Sequence, residues 1–134
     1  MAEELTATIL VADDNPDNVA LLREMLEAAT YTVVTAYDGD EALLKVAETN
    51  PDLIILDVMM PGKDGFAVCR RLKKWEQTRN IPVLMLTALQ EVADKVRGIE
   101  AGADEFLSKP VDMVELQTRV KALVKAKLYR QQVI

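Results

Sequence analysis

Residues 53–56 read Leu-Ile-Ile-Leu, apolar at every position, and the run stops at Asp57. A half-buried strand alternates apolar with polar residues; one with no polar face must be covered on both sides. Such strands belong to parallel sheets with helices packed above and below. Ala7–Ala12 (ATILVA) and Ile81–Leu86 (IPVLML) have the same character. Tyr31–Ala36 (YTVVTA) is β-branched, and Glu105–Ser108 (EFLS) is a shorter run halted by Lys109-Pro110. Five strands are therefore expected.

Helical patterns fill the gaps. Asn15 is placed to cap a helix and Pro16 to open it, with Val19, Leu22, Leu26 and Ala29 at helical spacing. Asp38-Gly39-Asp40 opens a second helix carrying Ala42, Leu43 and Val46. Asp64-Gly65 opens a third, with Val68, Cys69, Leu72 and Trp75 on one face. Val92, Val96 and Ile99 mark a fourth, which Gly102 ends as a left-handed cap. Asp112 and Glu115 stand at capping-box spacing before the fifth. A strand–helix unit repeated five times, joined by right-handed crossovers, predicts an α/β fold: a doubly wound, five-stranded parallel sheet of order 2-1-3-4-5. Ligands of such sheets bind beyond the carboxyl ends of the strands, where strands 1 and 3 diverge.

Composition narrows the chemistry. The 134 residues suit one domain and include 16 basic and 22 acidic side chains, a net charge of −6. That balance argues against direct contact with nucleic acid. The single cysteine allows no internal disulfide and fits a reducing, cytoplasmic setting. No apolar run is long enough to span a membrane. There is no histidine, which removes the commonest general base and metal ligand. Any chemistry must run on carboxylates, hydroxyls, lysines and backbone groups.

On the expected scaffold, the first strand ends at Asp13-Asp14, the third at Asp57, the fourth at Thr87-Ala88 and the fifth at Lys109-Pro110. Singly, each aspartate reads as a solvated strand end, Thr87 as a helix cap and Lys109 as a surface lysine. Jointly they gather at one edge. Three close carboxylates repel one another, and a hard cation such as Mg²⁺ or Mn²⁺ relieves the repulsion. An aspartate kept anionic by that cation can act as a nucleophile toward phosphorus. The Lys109 ammonium and the Thr87 hydroxyl would then serve the phosphoryl oxygens.

The set Asp13-Asp14, Asp57, Thr87 and Lys109-Pro110, with DVMMPGKDG and GADEFLSKP around it, resembles the receiver domain of two-component response regulators. The resemblance covers about residues 8–124 of a single domain spanning 1–134, leaving 125–134 as a basic helical extension or linker. It implies a flavodoxin-like (βα)5 fold and phosphorylation by a sensor histidine kinase or a phosphotransfer protein. Asp57 would be the phosphoacceptor. Asp14, Asp57 and the Met59 carbonyl would hold the metal directly, and Asp13 through a water. Lys109 would contact the phosphoryl group. Thr87 would move toward it, and Phe106 into the space vacated. The Lys109–Pro110 bond would be cis. In the family, Met59 and Leu89 would flank the path of attacking water, and neither side chain orients water, so phosphate loss is expected to be slow. The wording DVMMPGKDGF…VCRRLK followed by RVKALVKAKLYRQQ is similar to receivers that precede diguanylate cyclase domains. A downstream output domain and a homodimer through the fourth and fifth helices fit that likeness.

Other readings are a receiver-shaped module that binds partners without phosphorylation, and an aspartyl-phosphate hydrolase. The hydrolase would need an acid at position 59, where methionine stands. A nucleotide or flavin module would need a Gly-rich or Ser/Thr-rich first loop, where Asp-Asp-Asn-Pro-Asp stands. Met59 and Met60 are expected at the pocket mouth. In the last helix, Leu116, Val120, Leu123 and Val124 form an apolar stripe whose next place is Lys127. The basic half is either a solvated face complementing the helix dipole or a segment leaving the body.

Overall fold

The structure is a computed structural model that describes residues 6–88 and 92–132. Among these residues the strands are β1 (Thr8–Ala12), β2 (Thr32–Ala36), β3 (Leu53–Asp57), β4 (Val83–Thr87) and β5 (Glu105–Ser108). They alternate with α1 (Pro16–Ala28), α2 (Gly39–Thr49), α3 (Gly65–Lys74), α4 (Val92–Ala101) and α5 (Met113–Gln132). Every pairing is parallel and the order is β2-β1-β3-β4-β5, as the alternation predicts. β4 starts later than the apolar run suggests. Ile81 and Pro82 precede it, and the Pro82 carbonyl accepts the Ile54 N–H at 3.0 Å.

Strand alternation sorts the core into two layers. Leu10, Ala12, Ile54, Leu56, Val83 and Met85 face α2, α3 and α4. Ile9, Val11, Leu53, Ile55, Leu84 and Leu86 face α1 and α5. All five residues of β3 are buried, which explains its apolar spelling. Four of the helices start where short polar side chains accept their first N–H groups. Asn15 accepts from Asp17, Asp38 from Glu41, Asp64 from Ala67, and Asp112 from Val114 and Glu115. Each such cap stabilises its helix by about 1 kcal/mol. Gly102 ends α4 at φ +94°, a left-handed position that favours glycine. Among the described residues no helix is long and apolar enough to cross a membrane.

α4 forms where Val92, Val96 and Ile99 mark it, although Val96 and Ile99 are exposed; among the α4 side chains described, those of Gly98 and Ala101 are the buried positions. Two expectations fail at single residues. Met60 is buried in the layer beneath α2 and α3, leaving Met59 alone exposed beside the site. Lys127 departs from the rest of the basic half, where Arg119, Lys121, Lys125 and Arg130 are exposed as a solvated face requires. It is 8% exposed, and its Nζ donates to Asp52 Oδ1 at 3.1 Å. Leu128 packs on the same layer as α1, so α5 stays on the body through these residues.

Candidate functional site

The parallel register brings the predicted residues to one edge. Ala12 is level with both Ala36 and Leu56, Asp57 with Leu86, and Thr87 with Ser108. Asp13 follows β1 directly and its N–H donates to the Ala36 carbonyl at 3.1 Å. Its carboxylate is fixed by two donors: the Asn15 N–H reaches Oδ1 at 2.9 Å and the Asn18 amide reaches Oδ2 at 3.4 Å. Asp57 is the last residue of β3. Beyond it, the Val58 N–H donates to the Leu86 carbonyl at 3.2 Å, and the chain returns through Gly62 at φ +73°. Gly65 then lies against the strand end. A Cβ there would stand 2.9 Å from Val58 Cα, so only glycine permits the approach. Lys109 is held by its N–H, which donates to the Thr87 carbonyl at 2.8 Å, and its bond to Pro110 is cis.

Carboxylate oxygens of Asp13, Asp14 and Asp57 lie within 4.8 Å of one another. Asp13 and Asp57 are buried, and Asp14 is exposed. Lys109 Nζ is 2.9 Å from Asp57 Oδ1 and 3.6 Å from Asp13 Oδ2. Lys109 thus pairs with two of the three carboxylates. Burial pushes the Asp57 carboxyl above the usual carboxylate range. The Lys109 hydrogen bond opposes this, while the neighbouring charges of Asp13 and Asp14 add to it. Burial alone would pull Lys109 down, but its hydrogen bond to Asp57 and the charges of Asp57 and Asp13 outweigh that and raise it. The site carries an excess of negative charge around oxygen donors, which suits a hard divalent cation.

Thr87 is buried at the tip of β4 and Ala88 beside it is exposed. Phe106 is level with Met85 and packs on the layer beneath α3 and α4. Thr87 and Phe106 line a narrow gap with Val58, Phe66, Asp94 and Lys95. The Met59 side chain is exposed at the rim. Leu89 lies outside the described residues. The structure therefore brings Asp13, Asp14, Asp57 and Lys109 together and sets Thr87 at the adjoining strand tip. Sequence reasoning missed Asn18, which holds Asp13 from the first turn of α1. Its signal was the spelling DDNPDN, which puts a second amide within reach of that carboxylate.

A doubly wound parallel sheet with an acidic cluster and a lysine at its switch point defines a class of regulatory α/β modules. The chain belongs to the response regulator receiver domain family, whose sequence profile matches residues 9–121. It is similar to the response regulator PleD of Caulobacter vibrioides, 52% identical over 124 residues, covering 92% of this chain and 27% of PleD. It is also similar to the alkaline phosphatase synthesis transcriptional regulatory protein PhoP of Bacillus subtilis. That match is 49% identical over 117 residues, covering 87% of this chain and 48% of PhoP. The chain thus spans about a quarter to a half of the length of these relatives. Among solved structures, the signal receiver domain of a signal transduction histidine kinase from Syntrophus aciditrophicus matches with a TM-score of 0.85 and 42% identity. It covers 90% of this chain and 91% of that one. Phosphorylation-dependent switching is the general function of this family.

Proposed function

We propose that Asp57 is the phosphoacceptor of a two-component phosphorelay, receiving its phosphoryl group from a sensor histidine kinase or a phosphotransfer protein. One observation carries the reading: a buried strand-end aspartate shares a single edge with two further carboxylates and a lysine 2.9 Å away. Asp14, Asp57 and the Met59 carbonyl would hold Mg²⁺ or Mn²⁺, with Asp13 acting through a water. When bound, the cation neutralises carboxylate charge and charge on the equatorial phosphoryl oxygens. An Asp57 carboxylate oxygen forms the new O–P bond as the donor's N–P bond breaks, and the electron pair leaves with the imidazole. Lys109, anchored by its backbone to Thr87, carries a fixed positive charge to the transferring group. Asn15 and Asn18 keep the Asp13 carboxylate from turning away. Small, exposed Ala88 leaves room for the donor.

In this reading Thr87 moves toward the new phosphate and Phe106 follows it. The surface of α4, β5 and α5 then changes for an output partner or for a second copy of the chain. The chain acts as a single receiver module with α5 leading on to an output domain. That placement is supported by the small share of PleD it covers and by its likeness to receivers that precede diguanylate cyclases. The test is intact mass after incubation with Mg²⁺ and acetyl phosphate. A gain of one phosphoryl group that disappears in Asp57→Asn and with a chelator supports the reading. No gain with the cognate kinase as donor overturns it.

A further inference from the structure

α4 is a ten-residue helix with a glycine at its centre. An interior glycine weakens a helix by about 1 kcal/mol relative to alanine, so its presence asks for a reason. Backbone conformation supplies none, because the positive-φ glycines are Gly62 and Gly102, not Gly98. Space supplies one. A Cβ on Gly98 would collide with the tip of the Phe106 ring, at Cζ and Cε1, far inside van der Waals contact. Gly98 is buried, so the ring rests on the bare backbone of α4. Phenylalanine has no hydroxyl, and no hydrogen bond fixes this ring; packing alone decides where it lies. The ring also lines the narrow gap formed with Thr87, Val58, Phe66 and, from α4 itself, Asp94 and Lys95.

We infer that Gly98 is the seat of Phe106, a positioning residue that sets where the aromatic ring rests and hence how freely it answers a charge at Asp57. The functional half of this inference rests on the phosphoacceptor reading; the seat itself does not. Any side chain at 98 evicts the ring. The colliding atoms are the far end of a side chain, so the ring moves before the helix does.

Two measurements test it. The first is thermal unfolding of Gly98→Ala in two backgrounds. With Phe106 present the substitution is expected to lower Tm. In Phe106→Ala it is expected to raise Tm, because helix propensity then acts unopposed. An equal change in both backgrounds overturns the seat. If Gly98→Ala alone does not fold, recovery of folding in the double variant supports the seat, and failure to recover overturns it. The second uses 4-fluorophenylalanine. The chain has two phenylalanines, so Phe66 and Phe106 give two fluorine signals, assigned with Phe106→Leu. Gly98→Ala is expected to shift the Phe106 signal and shrink its response to phosphorylation; an unchanged signal overturns the inference. Absence of a phosphoryl mass gain would instead overturn the phosphoacceptor reading and leave the Tm comparison standing.

Discussion

β3 is framed by two aspartates, and each pairs with a lysine from far along the chain. At its carboxyl end Asp57 meets Lys109 at 2.9 Å; just before its amino end Asp52 meets Lys127 at 3.1 Å. The contacts are nearly alike, and their surroundings are not. Asp52 is fully provided for, since Lys127 reaches Oδ1 and the Thr8 N–H reaches Oδ2 at 2.9 Å. One negative charge meets one positive charge. Asp57 shares its lysine with Asp13 and stands within reach of Asp14, so negative charge is in excess. A balanced pair has nothing further to bind and fixes a helix to a sheet. An unbalanced cluster of oxygen donors suits a hard cation. Residue identity does not separate structure from chemistry here; local charge balance does.

The comparison breaks most visibly under neutral substitution. Asp57→Asn is expected to abolish phosphoryl transfer from acetyl phosphate, whereas Asp52→Asn leaves it in place, both read by intact mass. Stability should respond in the opposite sense. Asp52→Ala strands Lys127 and frees the Thr8 N–H. It should cost about 2 kcal/mol in urea unfolding, at the low side for a broken buried pair because water reaches part of Asp52. Asp52→Asn with Lys127→Met keeps an acceptor for Thr8 and no unpaired charge, and should recover most of that loss. A smaller effect belongs to Met59. Its exposed thioether cannot orient a water, so Met59→Asn is expected to hasten loss of the aspartyl phosphate severalfold. Equal or slower loss would count against the reading.

The smallest effect is a pH slope. The folded-state pKa of Asp57 lies above the ordinary carboxylate value, mainly through burial. The native state therefore holds that proton more tightly than the unfolded chain. In metal-free protein its contribution to stability is full below the unfolded pKa and declines as pH rises through the folded one. Denaturant midpoints of the wild type, compared with Asp57→Asn across the acid range, should show that slope in the wild type alone.

Much of this was legible in the residues. The strands are aliphatic runs because they are buried on both faces, and their polar termini mark the edge where Asp13, Asp14, Asp57 and Lys109 meet. What stayed hidden follows one physical rule: periodicity registers large apolar side chains and overlooks burial by other means. α4 buries Gly98 and Ala101 while Val96 and Ile99 are exposed, so the apolar spacing places the helix without naming its buried face. Lys127 breaks the stripe of α5 by residue type while keeping its position, because Asp52, 75 residues earlier, balances its charge. Lys73 is similarly opaque. Its Nζ donates to the Arg79 and Ile81 carbonyls and to Asp104, and Asp104 accepts the Val83 N–H. No local pattern announces that junction at the entrance to β4.

The complete burial of β3 has a mechanical consequence. A strand bonded to neighbours along both edges and covered on both faces has no room to bend or slide. Asp57 is thus mounted on a stiff support. At the flank of the sheet β5 is bonded along one edge alone, and α4 packs there with the bare backbone of Gly98 against the Phe106 ring. In the proposed switch, a change at Asp57 would be handed across the sheet to that flank rather than absorbed by β3.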